Sequence, residues 1–153
     1  MASKYSQGKY IVENPSKYIG SKAPFARSSW ETAFMRFCDS HPNIIKWASE
    51  NVKIPYMHPF TGKITNYVPD FMVQYEDKNG KTRVELIEVK PKSQTVIENA
   101  RGKGDKLATQ INAVKWEAAA AWAKSKGIHF KVITEDQIFN KPKRTTKPRR
   151  KMR

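Results

Sequence analysis

Cysteine is nearly absent. The single one in 153 residues is Cys38, which excludes an internal disulfide framework and any cysteine-built zinc cluster. Long apolar runs are missing too: no stretch reaches the roughly 18 residues that a membrane-spanning helix requires. The opening MASKYSQGKYIVENPSK holds no apolar core of the signal-peptide kind, so the expectation is a chain that is not secreted and works in a reducing compartment. No GxGxxG or GxxxxGKS/T pattern occurs to cradle phosphates, which leaves a nucleotide cofactor unsupported. Acids are scarce as well, with 14 Asp+Glu against 29 Lys+Arg for a formal net charge of +15. An excess of that size favours a polyanionic partner, nucleic acid first, because basic side chains that neutralise phosphates release condensed counterions.

What is present suffices for one folded domain. The chain is 39% hydrophobic and 11% aromatic, too apolar to be disordered throughout and long enough for a core. Three zones are expected: a basic, aromatic arm over 1–26, the folded domain over 27–140, and a tail over 141–153. The tail reads KPKRTTKPRRKMR, eight basic residues and no acid. Lys141, Lys143, Arg144, Lys147, Arg149, Arg150, Lys151 and Arg153 are therefore the expected phosphate contacts, on a segment that repels itself until an anion meets it.

Within the domain, SSWETAFMRFCDSH reads as a helix capped by Ser28 or Ser29. Strands are expected at 52–56, 63–69, 70–76 and 81–90, the last two joined through Asp77-Lys78-Asn79-Gly80, a strong hairpin signal. A long helix over about 105–126 stops at Gly127. A strand at 128–134 and a short helix capped by Thr134 close the order, which describes an α/β or α+β fold built on a mixed sheet.

Two acids and a lysine occupy places where a plain hairpin has no need of them. Asp70 opens one strand, while Glu88 and Lys90 share a face at the end of the next. Their meeting depends on register. A two-residue turn centred on Asn79-Gly80 sets Asp70 opposite Val89, on the wrong face; one extra residue sets it opposite Glu88. Two carboxylates so placed repel unless a cation neutralises them, and hard oxygen ligands suit Mg²⁺ or Mn²⁺. Lys90 would then orient a water or stabilise transition-state charge. The plainer alternative is a salt bridge at a strand end. On the first helix, a turn of 100° per residue puts Glu31 between Cys38 and Met35, inside the apolar arc, where a carboxylate is costly unless paired, protonated or metal-bound. Its plainer alternative is a capping glutamate.

Weaker candidates follow. Gln110 borders the apolar arc of the long helix, with Lys106 one turn earlier, and either could reach the rim of such a site. Trp116 projects to the opposite side, open to stacking on a base or partner or to burial under the N-terminal arm. His41, His58 and His129 share no ligand spacing and are read as structural, as is the thiol of Cys38.

The order Glu31, VPDF at 68–71, IEVKPK at 87–92, then a helix and the strand HFKVITED resembles the PD-(D/E)XK nuclease superfamily, from about Arg27 to Ile138. ARSSWETAFMRFCD, the PDF strand and VITED look like the branch that contains 5′-end-cleaving transposase subunits. Size and basic tail look closest to the head-completion nucleases of T-even-like tailed bacteriophages. The resemblance implies a restriction-endonuclease-like core, a mixed sheet flanked by helices. It implies Mg²⁺, with Mn²⁺ as substitute, on Asp70, Glu88 and the Val89 carbonyl, with Lys90 as catalytic lysine and Glu31 as the acid of the first helix. It also implies DNA hydrolysis to 5′-phosphate and 3′-hydroxyl ends, in the host cytoplasm or on the phage head or virion, with portal or connector proteins as partners and no membrane. Gln110 matches no motif position. Two rival readings stay open: a transposon-end endonuclease subunit, and a non-enzymatic basic nucleic-acid-binding or portal-plugging structural protein.

Overall fold

A computed structural model describes residues 8–92, 95, 103–134 and 136–137. The tail contacts expected at 141–153 lie outside the described residues. The element order is β1 (Gly8–Lys9), a 3₁₀ turn (Pro15–Lys17), β2 (Phe25–Ala26), α1 (Ser29–Ser40), β3 (Ile44–Ser49), β4 (Ile54–Met57), β5 (Ile64–Tyr67), β6 (Phe71–Glu76), β7 (Thr82–Val89), α2 (Lys103–Ser125) and β8 (His129–Ile133).

The central sheet runs β3-β6-β7-β8, antiparallel except for the parallel β7–β8 pair that α2 connects. This is the expected mixed sheet between helices. Alternation along β6 and β7 divides the core in two. Phe71, Val73, Ile87 and Val89 join Met35, Cys38 and Trp47 on the α1 side. Met72 and Leu86 join Ile54, Tyr56, Tyr67 and Ala119 on the α2 side. Strands β4 and β5 pair only with each other and form a separate hairpin over that second face. Among the described residues, no helix is long and apolar enough to cross a membrane.

Local chemistry explains the ends. Ser28 Oγ accepts from Glu31 N at 3.1 Å and caps α1. The helix stops because His41 precedes Pro42, whose ring disfavours the helical region for its neighbour; His41 sits at ψ 129. Gly127 ends α2 at φ 75, with Ile128 N donating to Ala123 O at 2.9 Å, a closure that needs a left-handed residue.

Strand β3 is a difference from the sequence reading, which places no strand there. Its register shifts between Ile44 and Lys46, so the period-2 signal breaks inside six residues. The arm also differs from a free appendage. Asp39, only 1% exposed, accepts from Tyr10 Oη at 2.9 Å, Glu13 N at 2.7 Å and Asn14 N at 3.0 Å. Tyr10 and Tyr18 pack edge-on against Trp47. From Gly8 onward the arm is part of the folded body.

Candidate active site

The β6–β7 turn decides whether a site forms. Asp77 O accepts from Gly80 N at 2.9 Å, and Asp77 N donates to Lys81 O at 2.8 Å. Asp77 Oδ1 accepts from Asn79 N and Lys81 N at 2.9 and 3.0 Å, and Gly80 takes φ 81. This is a type I turn closed by a left-handed glycine, a three-residue loop rather than the two-residue one that Asn-Gly suggests. The extra residue pairs Phe71 with Ile87, so the next pair outward is Asp70 with Glu88. The register required for the two carboxylates to meet is the one observed.

They meet on the α2 face at the end of the sheet. Glu88 is 4% exposed. Its Oε1 accepts from Tyr67 Oη at 2.7 Å and from Asp70 N at 3.2 Å, while Oε2 lies 3.7 Å from Lys90 Nζ. Asp70 Oδ2 accepts from Val89 N at 2.8 Å. Each carboxylate is thus oriented by the other strand's backbone.

The electrostatics are strained. Burial holds Asp70 well above the ordinary carboxylate range, and repulsion from Glu88 and then Glu31 adds to it; the Val89 N–H and Lys90 oppose. Burial also raises Glu88, against the Tyr67 hydroxyl, Lys90, the Asp70 N–H and Lys115. A site that keeps two buried carboxyls this close has use for positive charge.

Glu31 sits at the capped first turn of α1. Its backbone N–H takes the Ser28 cap and its Oε1 accepts from Arg27 N at 3.1 Å, so the capping role is real. Its charge nevertheless reaches Asp70. Helix α1 covers the opposite sheet face, so Glu31 approaches around the sheet end. Beside it, Glu50 takes φ 49, a left-handed conformation strained for glutamate. Glu50 pairs with Arg27 and donates its N–H to Asp70 O at 2.9 Å.

Gln110 and Lys106 are exposed on α2, and the helix sends a different side chain to the carboxylates. Lys115 is half-buried with its Nζ 5.3 Å from the centre of the Tyr67 ring. Burial and Lys90 push its pKa down, while Glu88 and Asp70 hold it up. Trp116, one candidate for stacking on a base, packs instead in the α2-side core beside Tyr67. On α2, Val114, Ala118 and Trp122 pack against that core, while Thr109, Asn112, Ala119 and Ala123 are its fully buried positions and Leu107 stays exposed. In an alanine-rich helix the closest approach is set by small side chains, and these carry little hydrophobic contrast. Tyr67 was legible as a strand residue but not as the Glu88 donor; its place just before VPDF is the only signal. Burial raises the Cys38 thiol, and His41 and His58 use their Nδ1 atoms to accept backbone N–H groups, as structural residues do.

No three His, Cys, Asp or Glu side chains gather at metal-holding distance among the described residues. The donor set that the resemblance implies is two carboxylates and the Val89 main-chain carbonyl. That set fits a hard, hydrated dication, which takes one or two carboxylates and keeps several waters, and does not fit zinc.

Residues 41–135 match the family described as TnsA-like endonuclease N terminal. The chain is also 34% identical over 142 residues to the head completion nuclease of Enterobacteria phage T4, an alignment that covers 86% of this chain and 92% of the relative.

Proposed function

This chain belongs to the TnsA-like endonuclease family, and from that premise we propose that it is a nuclease of phage head completion that hydrolyses DNA with a divalent ion, Mg²⁺ or Mn²⁺ in its place. The carrying observation is the Asp70–Glu88 pair, oriented by cross-strand hydrogen bonds and raised in pKa by burial and repulsion. Asp70, Glu88 and the Val89 carbonyl would hold the ion, which when bound supplies Lewis acidity at the phosphodiester and lowers the pKa of a water.

The chain's own groups do the rest. Tyr67 and the Asp70 N–H fix one oxygen of Glu88, leaving the other toward Lys90. Lys90 brings an ammonium to the charge that develops on the phosphoryl oxygens. Lys115 adds a second cation behind the Tyr67 ring. Glu31 sets a further negative charge near Asp70, which strengthens the site's demand for a cation. Gln110 stays outside this set. In the setting of head completion, the substrate is packaged DNA trimmed to 5′-phosphate and 3′-hydroxyl ends, and portal or connector proteins on the phage head are the natural neighbours.

The family match favours one second reading, a transposon-end endonuclease that needs a transposase partner for targeting. Plasmid DNA incubated with the purified chain and Mg²⁺, beside EDTA and the variants Asp70→Ala and Lys90→Ala, separates the cases. The expected result is cutting of plain duplex by the lone chain, abolished by EDTA and reduced by about 10³-fold in either variant. Cutting only with an added transposase favours the second reading. Equal cutting by both variants discards the site, and no cutting or metal binding at all leaves a basic DNA-binding or portal-plugging protein.

A further inference from the structure

We propose that the β4–β5 hairpin is a wedge that enters the DNA minor groove beside the cleavage site and unstacks a base step. The proposal rests on the nuclease reading above and adds to it a substrate preference.

Met57, Phe60 and Ile64 are 56, 55 and 66% exposed, three large apolar side chains in solvent on one small element. Met57 and Ile64 are cross-strand partners, so they share a face, opposite the one on which Ile54, Tyr56 and Tyr67 are buried. Phe60 stands in the turn between them, and that turn is braced. His58 Nδ1 accepts from Phe60 N at 3.2 Å and Thr61 N at 3.3 Å, and His58 O accepts from Gly62 N at 2.9 Å. A tip ordered before binding loses little entropy on docking.

An exposed apolar cluster marks a docking surface, and the surrounding charge says for what. From 51 to 69 the chain carries Lys53 and Lys63 and no acid, a composition complementary to a polyanion. Apolar wedges flanked by lysine are what proteins insert between base steps from the minor groove. The hairpin is also continuous with the site. Its inner end pairs Ile54 with Tyr67, and Tyr67 donates to Glu88. Ile64 stands three residues along the strand, roughly 10 Å from Tyr67, about three base-pair steps. A nuclease with such a wedge favours DNA whose stack is already weakened, at ends, gaps and mismatches, where unstacking costs least.

The test uses the full chain on short duplexes carrying 2-aminopurine, in EDTA so that nothing is cut. Saturating wild-type protein should raise the fluorescence by about threefold as the probe leaves the stack. The triple variant Met57→Ser, Phe60→Ala, Ile64→Thr, and Phe60→Ala alone, should keep the wild-type melting temperature because all three side chains are exposed. At saturation the triple variant should leave the fluorescence near that of free duplex, with Phe60→Ala intermediate. Wild-type fluorescence from the triple variant, or no rise with wild type, overturns the wedge. So does a concentration-dependent dimer in sedimentation that the triple variant abolishes while the fluorescence stays unchanged, since the face would then serve a second copy. Asp70→Ala, assayed for cutting in parallel, tests the nuclease reading separately.

Discussion

Glu88 bears a carboxylate at 4% exposure, and the Tyr67 hydroxyl at 2.7 Å is its shortest support. Burial and the neighbouring Glu88 charge raise the Tyr67 pKa, so the phenol stays protonated and keeps donating. Tyr67→Phe leaves Oε1 with the Asp70 N–H alone and frees Glu88 to turn. Groups that orient ligands typically cost 10- to 100-fold in metal affinity when removed, so Mn²⁺ calorimetry should show a loss of about tenfold. Urea melts should show a cost of about 1–2 kcal/mol. Unchanged Mn²⁺ affinity would mean that the backbone holds Glu88 unaided. Asp70 makes the opposite prediction for stability. Its folded pKa lies above its unfolded one, so its contribution is fully present below the unfolded value and is lost as pH rises through the folded one. Glu88 has the same sign. Metal-free protein should therefore gain stability as pH falls from neutral toward the ordinary carboxylate range. At neutral pH in EDTA, Asp70→Asn should raise stability by on the order of 1 kcal/mol, or about 2–4 °C in Tm. A lower Tm for that variant would show that the pair is not strained.

At the scale of elements, the β6–β7 hairpin shows how sequence carries a site. Alternation and Asn79-Gly80 reveal the two strands and their turn, but the register hangs on whether Gly80 closes a two- or a three-residue loop, and both need a glycine. The two outcomes put Asp70 on opposite faces. Strand β3 hides behind its bulge, and the buried face of α2 hides among alanines, so Lys115 is visible only in three dimensions. Asp70, Glu88 and Lys90, by contrast, are legible because acids are rare here and these sit at strand ends beside a lysine. Asp39 escapes a reading based on apolar arcs, since it is a buried acid satisfied by a segment more than twenty residues away. Its hydrogen bonds to Glu13 N, Tyr10 and Asn14 overcome burial and lower its pKa. The stability it contributes is therefore present above the unfolded carboxylate pKa and lost as pH falls through the folded one. Asp39→Ala should destabilise by about 3 kcal/mol at neutral pH, leaving the Glu13 and Asn14 N–H groups without a partner. Equilibrium urea unfolding at neutral pH and again below about pH 3 should show the gap narrowing in acid. A gap independent of pH would assign the loss to packing rather than to the carboxylate.

At the scale of the whole molecule, the fold places a small acidic site on a body of formal charge +15. On the proposed function, charge attracts DNA without regard to sequence, and the buried carboxylates would act only where a phosphodiester is delivered to them. The tail over 141–153 carries about half of the excess, eight basic residues without an acid, while the site is built entirely from 31 to 115. Binding and cutting should therefore separate. If about six phosphates are neutralised, affinity for duplex should fall about 10³-fold between about 50 and 200 mM salt. A chain ending at Asn140 should bind more weakly and with a shallower dependence, a slope nearer −2 than −5 if about four of those contacts belong to the tail. Its cutting rate on saturating DNA in Mg²⁺ should stay at the full-length value, because Tyr67, Val89 and Lys90 hold Asp70 and Glu88 from within the folded domain. Fluorescence anisotropy across a salt series measures the slope, and single-turnover cutting measures the rate. An unchanged slope would move the phosphate contacts onto the folded body, with Lys53 and Lys63 of the hairpin the first lysines to examine.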